Sequence, residues 1–184
     1  MKKELKDYVK VYNYFDQNFC KTVVQNLQDD WHRHTFYSHA EKERFNFNDD
    51  LEISHQFDDS SLFICQNIKE VLLDYIKDVN LPSLTGWDGY LDIRYNRYQV
   101  GKTMHWHADR VQEMFDGQRK GIPTLSVVGL LNDDYDGGDF YMFDDYKVEL
   151  KAGDVLIFPS TFMYIHQVTP VTRGTRYSWV SWVW

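Results

Sequence analysis

The chain has 184 residues, 43% of them hydrophobic and 17% aromatic, enough for one well-packed core and short for two. Its 20 lysines and arginines stand against 28 aspartates and glutamates, a net charge of −8, which argues against a protein built to grip the nucleic-acid backbone. No apolar run approaches a membrane span and the opening MKKELKDYVK has no leader-like stretch, so a soluble, cytoplasmic, single-domain protein over 1–184 is expected.

In chain order, YVKVYNYF (8–15) alternates as a strand does, and DQNFCKTVVQNLQDD (16–30) reads as a helix with Asp16 or Asn18 as its N-cap. Segment 31–59 is polar and aromatic and resists assignment. From Ser60 to Asn80, the positions Ile64, Ile68, Val71, Leu72, Tyr75 and Val79 follow a helical period. Cys20 and Cys65 both fall in expected helices; nothing resembles a disulfide framework, although one bond between them stays open.

After Pro82 the pattern changes. GYLDIRYNRY, MHWHAD, TLSVVGLLN, GDFYMF, YKVEL, DVLIFPS, MYIHQVTPV and TRYSWVSWVW are short, rich in β-branched and aromatic residues, and separated by turn signals such as NDDYDGG and KAGD. A helical part over about 1–82 followed by strands over about 83–184 predicts an α+β protein with a β core closed as a sandwich or barrel. The stretch RVQEMFDGQRKGIP (110–123) is the longest interruption, and loops of that length often carry function.

Residues two apart on a strand share a face, so MHWHAD predicts His105, His107 and Asp109 on one side. Two imidazoles and a carboxylate can hold a divalent metal and leave positions open, the ligand set of non-haem Fe(II) oxygenases, and His107, Asp109 and His166 supply it. Such pairs also arise by chance on strands. Arg176 follows His166 by ten residues. Two antiparallel strands joined across TPVTRG would bring the two together, with Arg176 deeper. A buried arginine fork needs an anion, either a bound carboxylate or one of the chain's own 28 acids.

Jointly these pieces resemble the Fe(II)- and 2-oxoglutarate-dependent dioxygenases, in particular their prolyl 4-hydroxylase-like branch. The resemblance rests on His107-x-Asp109, the later His166 and Arg176 in that order. It extends to the lead-in YQVGKTMHWHAD, to LLNDDYDGGDFYMF, and to the final strands, from about residue 90 onward. Two departures are Met104, where many members carry an aromatic residue, and Arg176, where some prolyl hydroxylases carry lysine.

The resemblance implies a double-stranded β-helix (jelly-roll) core with buttressing N-terminal helices. It implies Fe(II) on His107, Asp109 and His166, and 2-oxoglutarate with its far carboxylate on Arg176, supported by Tyr98 and, through the R-x-S pattern, by Ser178. With O2 as second co-substrate and ascorbate as a candidate reductant, the implied reaction hydroxylates an unactivated C–H bond and releases succinate and CO2. The implied substrate is a peptidyl proline, with a small molecule or a non-proline residue as the alternative.

Other readings remain at this point. A cupin would use His105, His107, Glu113 and His166, and a non-catalytic module could use the same cup for recognition. His105 is otherwise expected behind the ligands, Trp106 in the core, the C-terminal tryptophans in sheet packing, and His32, His34, His39 and His55 at the surface. Loop 110–123 and segment 31–59 are expected to line the mouth, and the acidic balance leans toward a basic or neutral peptide. Oligomeric state is not legible.

Overall fold

The apolar period after Ser60 becomes the helix α2 (Asp59–Val79) in the computed structural model, which describes residues 2–38, 41–80, 89–109 and 122–184. Asp58 caps its start, accepting from the Ser61 amide at 2.9 Å, and Asn80 ends it in the left-handed conformation at φ 46°. The helix α1 (Gln17–Asn26) is capped by Asp16, whose Oδ1 accepts from the amides of Asn18 and Phe19. Cys20 on α1 and Cys65 on α2 are both buried and free.

The strands are β1 (Lys10–Asn13), β2 (His32–Arg33), β3 (Phe36–Ser38), β4 (Glu43–Phe45), β5 (Glu52–Ser54), β6 (Arg94–Tyr98), β7 (Met104–His107) and β8 (Leu125–Leu130). They continue with β9 (Asp136–Gly137), β10 (Phe140–Met142), β11 (Tyr146–Val148), β12 (Asp154–Pro159), β13 (His166–Val168), β14 (Val171–Arg173) and β15 (Arg176–Val183). Among the described residues, a seven-stranded antiparallel sheet runs β1-β12-β8-β15-β6-β5-β2, and a four-stranded sheet runs β11-β10-β13-β7. The pairs β14-β9 and β3-β4 complete the set.

Strand alternation sorts the side chains of the large sheet between two cores. Tyr95, Val127, Ile157 and Trp179 pack with Ile64, Ile68, Val71 and Leu72 of α2, so the helices cover that face. Their strand neighbours Val128, Leu156, Phe158 and Val180 pack with Met104, Phe140, Met142 and Val168 of the small sheet. Two facing antiparallel sheets with helices on the outside of the larger one form a double-stranded β-helix. Gly129 marks how tight the helix side is, since a Cβ there would lie 2.1 Å from the Trp179 ring.

The N-terminal part differs from the expected helical buttress. The strand β1 pairs with β12, and β2 and β5 extend the large sheet beyond β6. Segment 31–59 holds four strands of two or three residues, too short for a period of two to register in sequence. The expected strand at 8–15 shrinks to β1 because Leu5–Tyr8 form a 3-10 turn. No described helix is long and apolar enough to cross a membrane.

Candidate functional site

The two sheets enclose a cavity of about 30 Å³, and the expected residues face each other across it. On the small-sheet side, His107 ends β7 and His166 opens β13, and the two are direct partners across the strands. Asp109 lies just beyond β7 and is 9% exposed. One donor atom from each of His107, Asp109 and His166 lies within 4.8 Å of the other two. Asp109 Oδ1 is 3.4 Å from His107 Nε2 and 3.8 Å from His166 Nε2.

Each of the three is held from behind. His107 Nδ1 donates to the His105 carbonyl at 2.8 Å, and His166 Nδ1 donates to the Tyr164 carbonyl at 3.0 Å. A carbonyl only accepts, so both rings carry their proton on Nδ1 and turn an Nε2 lone pair to the centre. Phe140 stacks on the His166 ring at 5.3 Å and Phe158 meets it edge-on at 4.9 Å. Ser126 Oγ donates to Asp109 Oδ2 at 2.6 Å and lies 2.6 Å from Ser160 Oγ, which leaves Oδ1 for the centre.

The electrostatics agree with an ionised carboxylate beside a neutral His166. Burial pushes Asp109 upward, but His166, His107 and Ser126 together hold it well below the usual carboxylate range. Burial, reinforced by His107, lowers His166 to about 4. Two imidazole nitrogens and one carboxylate oxygen, all fixed by outer hydrogen bonds, are a donor set that fits a divalent transition metal.

The opposite wall comes from two paired strands of the large sheet. The register sets Arg176 beside Tyr98, Ser178 beside Asn96 and Val180 beside Arg94, and all six line the cavity with Trp182. Arg176 is 1% exposed, and its guanidinium lies 4.9 Å from the Tyr98 ring centroid. Its Nη1 donates to Ser178 Oγ at 3.0 Å, while its Nε is buried without a partner. No described carboxylate forms an ion pair with it, so the salt-bridge alternative fails among the described residues. Gly138, at φ +62°, lets its loop close on Arg176, because a Cβ there would lie 3.0 Å from Arg176 Cδ. That loop also borders a second cavity of about 290 Å³, whose acids Asp136 and Asp139 are paired with Arg173 and Lys147.

Several expectations change. His166 and Arg176 do not lie on strands that pair: β13 joins β7 and β10, β15 joins β6 and β8, and the two residues meet across the cavity. His105 does not share the face of His107. Two steps along β13 span three along β7, and this bulge puts Met104 and His107 on the cavity side. His105 instead bonds Asp49 Oδ1 at 3.0 Å and packs on Phe47, which removes it from the cupin set. Glu113 and most of loop 110–123, residues 110–121, lie outside the described residues.

Trp106 is 40% exposed rather than core, and Trp182 lines the cavity while Trp179 packs beneath the helices. His34 is buried, at 8% exposure, instead of lying at the surface. The sequence reading missed Arg94, Asn96, Ser126, Ser160 and Phe140. Arg94 and Asn96 were within reach, since they share a strand face with Tyr98. The serines were not, because only tertiary pairing brings Ser126 to Asp109.

A double-stranded β-helix with two histidines and an aspartate facing an unpaired buried arginine defines a class of mononuclear metal oxygenases. The family model described as 2OG-Fe(II) oxygenase superfamily matches residues 93–184, and the chain belongs to that superfamily. Membership implies Fe(II), 2-oxoglutarate and O2. A PKHD-type hydroxylase of Burkholderia ambifaria is 39% identical over 94 residues, 48% of this chain and 40% of that protein. One of Paracoccus denitrificans is 40% identical over 96 residues, 49% of this chain and 40% of that protein. The match thus spans about 40% of the length of these curated relatives.

Solved structures extend the likeness in fold over nearly the whole chain. A Pseudomonas putida prolyl-4-hydroxylase superposes with TM-score 0.64 at 18% identity, covering 95% of this chain and 91% of that one. A Trichoplax adhaerens prolyl hydroxylase, solved with a hypoxia inducible factor peptide fragment, gives 0.67 at 15%, covering 97% and 84%.

Proposed function

We propose that the chain is an Fe(II)- and 2-oxoglutarate-dependent hydroxylase acting on a peptidyl proline. The observation that carries the reading is the opposition of two elements: three donors oriented by outer hydrogen bonds, and a buried Arg176 that no described acid neutralises. The names of the curated relatives and of the solved structures favour a prolyl substrate; a small-molecule substrate is the alternative.

His107 Nε2, His166 Nε2 and Asp109 Oδ1 would hold the iron. When bound, iron and 2-oxoglutarate supply the oxidising chemistry that turns a C–H bond into an alcohol, with succinate and CO2 as co-products. Arg176 would take the far carboxylate of 2-oxoglutarate in its fork, with Ser178 fixing the fork and Tyr98 flanking it. The sulfur and aromatic lining from Met104 and Phe140, with Phe158 packed against His166, would keep bulk water from the donors. Ser126 holds Asp109 through one oxygen only, so the other stays directed at the metal.

The test is anaerobic. Fe(II) is added, then 2-oxoglutarate, and the visible spectra of wild type and Arg176→Ala are compared. A charge-transfer band in the wild type, weakened in the variant, is expected; bound metal with no band would sink the reading. Peptide screens for turnover then follow, with ascorbate included as reductant.

A further inference from the structure

The cavity holds a second cation that the hydroxylase reading does not use. Arg94, on the same strand face as Tyr98, lies in the wall four residues before it and is partly exposed there. Its Nε donates to Asn96 Oδ1 at 3.1 Å, and its guanidinium carbon lies 5.1 Å from the ring centroid of Trp182, another cavity residue. No described carboxylate forms an ion pair with it, and its terminal amino groups are left for a ligand. An arginine laid on an indole and fixed at Nε is a preorganised fork.

The charges then fail to close by one. With a divalent metal and doubly ionised 2-oxoglutarate in place, a premise taken from the reading above, Asp109 and the co-substrate neutralise the metal and Arg176. Arg94 remains without a counter-charge in the cavity wall, partly desolvated, which favours an anion beside it. Its wall position, four ladder pairs from Arg176, separates it from the fork assigned to the co-substrate. We infer that Arg94 anchors a carboxylate carried by the substrate, so the enzyme selects substrates with an acidic group near the hydroxylated carbon.

The carboxylate can come from an acidic side chain next to a proline or from the main-chain carboxylate of a terminal or free residue, and two matched pairs of probes separate these. One pair is N-acetyl-prolyl-aspartate amide and its asparagine counterpart; the other is L-proline and L-prolinamide. Binding is measured by calorimetry on protein loaded with Mn(II) and 2-oxoglutarate without oxygen, and turnover as probe-stimulated succinate release with Fe(II).

In at least one pair, the acidic member should bind about 10- to 100-fold more tightly than its amide, the range of one charge-assisted fork. Arg94→Gln should erase that preference, chiefly through KM. Equal binding of acid and amide in both pairs, or a preference that survives Arg94→Gln, overturns the inference. So does silence from all four probes while the wild-type charge-transfer band is intact. A band lost in Arg94→Gln also overturns it, because Arg94 would then hold the co-substrate. A band absent from the wild type fails the hydroxylase reading itself.

Discussion

The small-sheet wall of the cavity carries His107, His166 and Asp109, a set with no positive charge of its own, whereas the large-sheet wall carries two guanidiniums and no acid. The donors of the first wall are each pinned from behind, by a main-chain carbonyl or a buried hydroxyl. The cations of the second are pinned sideways, by a neighbour on the same strand, and keep N–H groups in reserve. One wall thus has the chemistry to suit a cation and the other the chemistry to suit anions. A chain with a net charge of −8 can therefore present a positive surface inside, and its overall charge says little about the ligand it takes.

If the walls do separate jobs, removing Asp109 should give the largest effect. Asp109→Ala is expected to lower iron affinity by more than the ~10–100-fold typical of losing an outer hydrogen bond to a ligand, and to abolish 2-oxoglutarate turnover. Metal content after dialysis measures the first part. Arg176→Ala comes next and should sharpen the contrast. Metal content stays at the wild-type level, while 2-oxoglutarate binding weakens by about 2–5 kcal/mol, the usual cost of deleting one partner of a buried charged pair. A variant that lost iron together with 2-oxoglutarate would show that the walls are not independent.

Ser126→Ala tests whether the outer hydrogen bonds belong to the metal wall. Ser126 is fully buried, bonded to Asp109 on one side and next to Ser160 on the other. Its loss frees Asp109 to rotate, and iron affinity should fall ~10-fold or more while 2-oxoglutarate affinity, measured at saturating metal, changes little. Full-strength iron binding in this variant would assign the serine pair to packing alone.

The two walls were also unequally legible in the sequence. On the large sheet, β6 and β15 alternate without interruption. Tyr98, Arg176 and Ser178 could therefore be placed from spacing and resemblance, and Arg94 could have been. On the small sheet, the bulge in β7 breaks the period, so His105 was assigned to the wrong face and Trp106 to the core although His107 was placed with its partners. The long helix was plain because Ile64, Ile68, Val71, Leu72 and Tyr75 repeat over many turns. The strands of segment 31–59 were hidden because two or three residues carry no period, and the pairing of β5 with β6 that ties β2 and β5 to the large sheet is nonlocal.

His34 gives the smallest expected effect and probes how far the positive wall reaches. It precedes β3 in the segment whose structure was not legible, and its ring meets Phe36 edge-on at 4.7 Å. Burial, with Arg94 and His107 adding to it and Asp109 opposing, lowers its pKa from 6.5 to about 3. The folded protein therefore refuses a proton that the unfolded chain accepts below pH 6.5. His34 then lowers stability as pH falls, starting near the unfolded value and continuing to about 3. Its share of the slope approaches one proton, roughly tenfold in the folding equilibrium per pH unit. Urea unfolding of wild type and His34→Asn at pH 7, 6, 5 and 4 reads the difference. The variant should lose less stability on acidification than the wild type, and parallel losses would mean that His34 takes up its proton in the folded state. Repeating the series in Arg94→Gln sharpens the comparison, since removing that cation should raise the folded-state His34 pKa, leaving the onset near 6.5 unchanged but ending the acid-sensitive window at a higher pH, with a smaller total loss.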